Sequence, residues 1–198
     1  MTSVALRAIA EAGLGGLAVA RKAGDVESMH SLATRLDAAD LLAVGALADQ
    51  IRAEEVGDVV RVFLGSSLEE ASDVVTIEAL GEVGEASRSG VLRRVAKARI
   101  IGPRAARVRV HWGTVGIELA QVALGFGANE LAGPVLSRRG LPIADDVTRR
   151  IKGSGLVSAK LLKKAELFAL VRTAGRVPVE VSAAAEDGRP GECSGNAP

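Results

Sequence analysis

The stretch that most limits what this chain can fold into is residues 107–134, RVRVHWGTVGIELAQVALGFGANELAGP. Residues 107–112 alternate polar and apolar, the period-two signal of a strand with one buried face. Gly113 interrupts it. Val115, Leu119, Val122 and Phe126 then fall at intervals of four, three and four, one stripe of an amphipathic helix. Gly125 and Gly127 supply the stop, and Asn129 and Glu130 turn into a second short apolar run. Strand, helix and strand in that order build sheets with helical crossovers, so the sequence predicts an α/β fold.

The rest of the chain reads less sharply. Residues 2–23 are Ala-rich but cut by Gly13, Gly15 and Gly16, which predicts two short helices, with another over 27–36. A clearer helix starts at Asp37 or Asp40 as N-cap and runs to about Glu55. Leu41, Val44, Leu47 and Ile51 form its inner stripe, and Asp49, Arg52 and Glu55 its wet side. VVRVFL (59–64) is a nearly continuous apolar run, as in a strand covered on both faces. DVVTIE (73–78) has strand character, 79–90 a loop or weak helix, and 91–98 a helix closed by Pro103 that turns Arg93, Arg94 and Lys97 outward. A polar turn (137–140), a short helix (144–151) and a glycine loop (153–155) follow. Ser158 then caps a helix to about Ala174 with Leu161, Ala165, Phe168 and Val171 inward, and 177–181 form a last strand. Residues 183–198, small and rich in Pro and Gly, read as a disordered tail. No internal repeat is present.

Composition narrows the function. Lys and Arg total 25 against 24 Asp and Glu, a net charge of +1, which is not the basic excess of a nucleic-acid surface. Aromatic residues make up 2%, leaving almost no rings for base stacking. Cys193 is the only cysteine, so neither an internal disulfide nor a cysteine-rich metal site is available, and an intracellular, cytoplasmic protein is expected. No run reaches the roughly 20 apolar residues of a membrane span, and no membrane partner is expected.

Three segments together resemble one known family. LDAADLLAVGALADQIRAEEVGDVVRVF (36–63), VAKARIIGPRAARVRVHWGTVGIELAQVALGFGANELAGPV (95–135) and AELFALVRTAGRVPVEV (165–181) are similar, in that order, to parts of the radical S-adenosylmethionine enzymes of futalosine-pathway menaquinone biosynthesis. These are aminofutalosine synthase and dehypoxanthine futalosine cyclase, with the deazaflavin cofactor synthase a cousin. Nearly half the chain is covered. The resemblance implies a partial, incomplete β/α barrel, helix-rich and with few strands, at 36–182, after an N-terminal helical segment at 1–35. It also brings a mismatch. In the family the first strand leads into a CxxxCxxC loop whose thiolates hold a 4Fe–4S cluster for S-adenosylmethionine cleavage. Here LGSSLEEASD follows Phe63, without a cysteine, and 64–89 must stand in for the middle of the barrel. The family's Asp in the late turn is Glu130, and the Arg-Asp pair after its PVE is Val181 and Ser182.

The candidate site residues are His111, Trp112, Asn129 and Glu130. His111 and Trp112 close a predicted parallel strand, the end at which α/β folds receive ligands. A bound ring stacked on Trp112 competes with the simpler reading of Trp112 as core filling, which is favoured. Asn129 and Glu130 line a pocket if they follow the family, although turn geometry is the simpler role for Asn129. Glu118 and Gln121 read as solvated. His30 lacks a second ligand at helical spacing, the glycines at 153–155 lack the spacing of a phosphate loop, and no Ser-His-Asp or Cys-His set can be assembled. The expectation is a non-catalytic or accessory remnant of the family, with no cofactor of its own. Its partner would be a second copy or an intact paralogue. The alternatives are an enzyme subunit that binds a futalosine-like nucleoside beside a partner chain, and a helical module that dimerises through strand edges.

Overall fold

A computed structural model describes residues 3–64, 74–77, 88–133 and 164–181. Within them, four helices, α1 (Ser3–Glu11), α2 (Gly15–Ala23), α3 (Val26–Leu32) and α4 (Arg35–Ala38), precede the long α5 (Leu41–Val56). Strand β1 (Val59–Leu64), strand β2 (Val74–Ile77), α6 (Arg88–Ile101) and β3 (Arg107–His111) follow. Then come α7 (Trp112–Val115), α8 (Ile117–Ala123) with a 3-10 turn at Leu124–Phe126, β4 (Glu130–Gly133), α9 (Lys164–Thr173) and β5 (Val177–Val181).

The five described strands form one sheet in the order β2-β3-β4-β1-β5, with every pairing parallel. Parallel neighbours need crossovers, and crossovers are right-handed. The steps β2 to β3, β3 to β4 and β4 over β1 to β5 all move one way, so α6, α8 and α9 fall on the same side. Alternate strand residues confirm it: Val60, Val62, Val108, Val110 and Leu131 share one core with Val44, Leu47, Ala48 and Ile51 of α5 and Val95, Ala96 and Ile100 of α6. Ile9, Leu14, Leu17 and Leu36 of the first helices enter that same core.

Local chemistry sets the boundaries. Asp40 caps α5, its Oδ1 accepting from the amides of Leu42 and Ala43 at 2.9 and 3.0 Å. Gly57, at φ +70°, ends it. Gly127 closes the turn before β4 at φ +96°, where a Cβ would press within 2.8 Å of the Arg99 stem. At β5 the Val177 amide donates to the Asp58 carbonyl at 3.0 Å. Parallel ladders alternate direction, so Pro178 faces away from β1 and the outer side of β5 lacks a donor there.

Several sequence expectations change. β1 is not apolar on both faces: Val60 and Val62 are buried under the helices, while Arg61 and Phe63 are half-buried on the opposite face. Arg52 and Glu55 do not lie on a wet side. Arg52 is 1% exposed, held by Asp49 at 2.8 Å and Asp58 at 3.2 Å, and Glu55 is clasped by Arg21. The 27–36 helix is two, α3 and α4. The helix after β3 breaks at Gly116 (φ +90°), which resets the helical phase. Ala120, Ala123 and Leu124 are therefore buried and Val122 is 48% exposed, while Val115, Leu119 and Phe126 of the expected stripe do pack on the core. In α9 Leu167 and Val171 are buried and Phe168 packs partly against the core, whereas Ala165 is exposed. Arg93 and Lys97 do not simply face water: Arg93 donates to the carbonyls of Leu36 and Ala39, and Lys97 meets Asp37 at 2.5 Å. The expected features at 137–140, 144–151, 153–155 and 183–198, and the Ser158 cap, lie outside the described residues.

Candidate functional site

The face of the sheet opposite Val60, Val62, Val108 and Val110 concentrates charge where three neighbouring strands stand in register. Arg61 of β1 pairs with Glu130 of β4, and Arg109 of β3 pairs with the same residue. Side chains alternate along a strand, so all three rise from one face, opposite the valines. Arg109 donates through Nε to Glu130 Oε2 at 3.0 Å, with Nη2 at 2.9 Å from the same oxygen. Nε of Arg61 and Nε of Arg107 stand 3.3 and 3.6 Å from Oε1. Phe63 lies on the same face, with the guanidiniums of Arg109 and Arg61 at 4.4 and 5.5 Å from its ring centre.

Glu130 is 0% exposed and Arg109 3%. Burial pushes the Glu130 carboxyl above its ordinary value, and the fields of Arg109, Arg107 and Arg61 pull the other way without prevailing. A side chain sealed in this way cannot itself touch a substrate. The Arg109 and Arg107 side chains are 3% and 13% exposed and that of Arg61 32%, so the group is an ion cluster largely closed off within the fold. It contains no paired nucleophile and base.

The four expected site residues do not converge. His111 ends β3, half-buried, on the Glu130 face by strand parity. Trp112 is 1% exposed and packs over the backbone of Gly133, where a Cβ would lie 2.5 Å from the indole. Asn129 works at the other end of the sheet. Its Oδ1 accepts from the Val108 amide and from Arg99 Nη2, both at 2.8 Å, which ties β4 to β3 and to α6. It does not adopt a left-handed backbone; the described positive-φ residues there are Gly127 and, before β3, Ala105 (φ 54°). Gln121 reaches the Leu170 carbonyl of α9 at 3.3 Å and so is not simply solvated. His30 is exposed, and no group of three His, Cys, Asp or Glu that could hold a metal occurs among the described residues.

Sequence reasoning missed Arg61, Phe63, Arg107 and Arg109. The signal was present as alternation in RVRVH and, more faintly, in VVRVFL. Two clefts open elsewhere. One of about 400 Å³ lies between α2, α5 and the loop at Arg104 and Ala105. Another of about 560 Å³ is lined by Ala5, Asp49, Arg52, Asp58 and Arg176. Both sit near the N-terminal ends of strands, away from His111 and Trp112. Among the described residues no helix is long and apolar enough to cross a membrane. No protein-family model matches the sequence, and no curated protein matches it either.

Proposed function

We propose that the chain is a non-catalytic or accessory relative of the futalosine-pathway radical S-adenosylmethionine enzymes, a pseudoenzyme whose parallel sheet is an incomplete β/α barrel. The observation that carries this reading is chemical. A cluster of that kind needs three thiolates from the loop after the first strand. β1 ends at Leu64, residues 65–73 contain no cysteine, and the chain's one thiol is Cys193. One thiolate cannot replace three. The run β2, β3 and β4 steps one way as in a barrel wall, and the face opposite its valines is charged, which supports this reading, while β1 lies between β4 and β5 rather than beside β2. Anaerobic treatment of the purified protein with iron and sulfide is the test: the spectrum stays featureless in the visible, and the brown absorption of a 4Fe–4S cluster would sink the idea.

A second reading, a subunit that binds a futalosine-like nucleoside beside a partner chain, draws on half-buried His111 at the C-terminal end of β3. Trp112 is the sole tryptophan and reports directly on that end. A fluorescence change on titration with aminodeoxyfutalosine supports this reading, and an unchanged signal at millimolar ligand removes it.

A further inference from the structure

The cleft of about 400 Å³ between α2, α5 and the loop at Arg104 and Ala105 joins an apolar floor to a charged mouth. Leu47 and Ile51 of α5 close the floor at 0% and 4% exposure, and Ala18 and Val19 form the α2 wall. Val19 is 71% exposed, so this wall stands open to solvent.

The charges at the mouth divide into a settled pair and an unsettled set. Arg21 forks onto Glu55 at 2.7 and 2.8 Å and gives other donors to the carbonyls of Gly102 and Pro103, so these two charges cancel. Lys22, the next residue of α2, is exposed and makes no ion pair among the described residues. The Arg104 side chain is 64% exposed and stands 3.9 Å from Glu55 Oε1, an oxygen that already accepts from Arg21. On the α5 wall Glu54 has a neutral partner, accepting from Gln50 Nε2 at 2.9 Å. Two cations against one carboxylate leave the mouth one positive charge in excess. The loop that carries Arg104 is fixed from within: the Ala105 amide donates to Glu55 at 2.9 Å, and Ala105 is held at a φ of 54°. A strained backbone persists only where its surroundings determine it, so this wall is formed before a ligand arrives.

We infer that this cleft binds a small monocarboxylate with an apolar chain, its head group at Lys22 and Arg104 and its chain along Val19, Leu47 and Ile51. The volume falls in the range of small-molecule sites, which are mostly apolar with a few polar groups that set orientation. One negative charge matches the excess at the mouth. A phosphate monoester overshoots it beside Glu54 and Glu55, and an alkylammonium ion meets Lys22 and Arg104 with like charge.

Octanoate is the probe, with amide NMR shifts of the full chain as the readout. The expected result is that the amides of Val19, Lys22, Ile51 and Ala105 move together on one saturable isotherm. Octylammonium, with the same chain length and the opposite charge, should bind at least about tenfold more weakly. Lys22→Glu combined with Arg104→Glu should weaken octanoate by a similar factor, and Val19→Asp should abolish its binding. These three side chains are exposed, and unchanged melting temperatures check that the variants keep the fold. Unmoved cleft amides, shifts scattered over exposed valines elsewhere, or octylammonium bound as tightly as octanoate each overturn the proposal. The comparison of the two probes needs no variant and decides it should a variant fail to fold.

Discussion

Glu55 and Glu130 are both buried beside arginines, yet they respond in opposite directions. Burial pushes the pKa of Glu55 up, but hydrogen bonds from Arg21 and the Ala105 amide (2.9 Å), aided by the charges of Arg21 and Arg99, hold it below its ordinary value. Glu130 stands among three arginines and is nonetheless raised, with burial the dominant cause. Only Arg109 donates to it in good geometry; Arg61 and Arg107 approach at 3.3 and 3.6 Å. A carboxylate is stabilised by well-aimed donors more than by the number of cations near it.

The largest effect expected from this contrast is on stability. Glu130→Ala strands Arg109 at 3% exposure and should lower unfolding free energy by about 3–5 kcal/mol in urea melts. Glu55→Ala leaves Arg21 its carbonyl acceptors at Gly102 and Pro103, so a smaller loss of about 1.5–3 kcal/mol is expected. A reversed order would mean that the face cluster is less tightly coupled than its distances imply.

Next in size is the turn that holds Arg99. Gly127→Ala combines left-handed strain with a clash against the Arg99 stem, for roughly 2–4 kcal/mol. Gly175→Ala has similar φ (+72°) and open space around it, and should cost only about 1–2 kcal/mol. Equal losses would show that the Arg99 stem yields to the new methyl.

The pH dependence separates the two glutamates by sign. Glu55 has a depressed folded pKa, so it contributes stability above its unfolded value that is lost as pH falls through the folded one. Glu130 has a raised folded pKa, so its contribution is present below the unfolded value and is lost as pH rises through the folded one. Relative to the unmodified chain, Glu55→Gln therefore falls behind with increasing pH, and Glu130→Gln gains. Chemical denaturation across the acid range reads both slopes, and parallel slopes would erase the distinction. The smallest effect is at Ala105, whose φ of 54° is strained for an L-residue. Ala105→Gly should raise stability by about 0.5–1 kcal/mol, provided the amide keeps its bond to Glu55.

What could be read in advance follows from the range of the forces involved. The alternation in RVRVH and the Asp40 cap are set by neighbours in sequence, and both strand and helix appear where expected. Glu55 was misplaced because its clasp, Arg21, lies far along the chain, and Arg52 because its nearby acids Asp49 and Asp58 are shared with distant Arg176 in one buried cluster. The spacing of Asp49 and Arg52 hinted at a pair but not at a buried one. Glu130 looked like a turn residue since its partners sit on two other strands. The stripe held at Val115, Leu119 and Phe126 but lost Val122 because Gly116 restarts the helix, a break that periodicity alone does not see.

The ladder order has a consequence during synthesis. β1 lies inside the sheet, and its partner β5 pairs from Val177 with Val59, so more than half the chain must emerge before that side of β1 is closed. Until then a nascent chain displays the open edge of a valine-rich strand, the state in which strands from different chains find one another. Ribosomes paused before residue 177 should thus yield the species most dependent on chaperones, and a slow codon run just after β4 would lengthen its life.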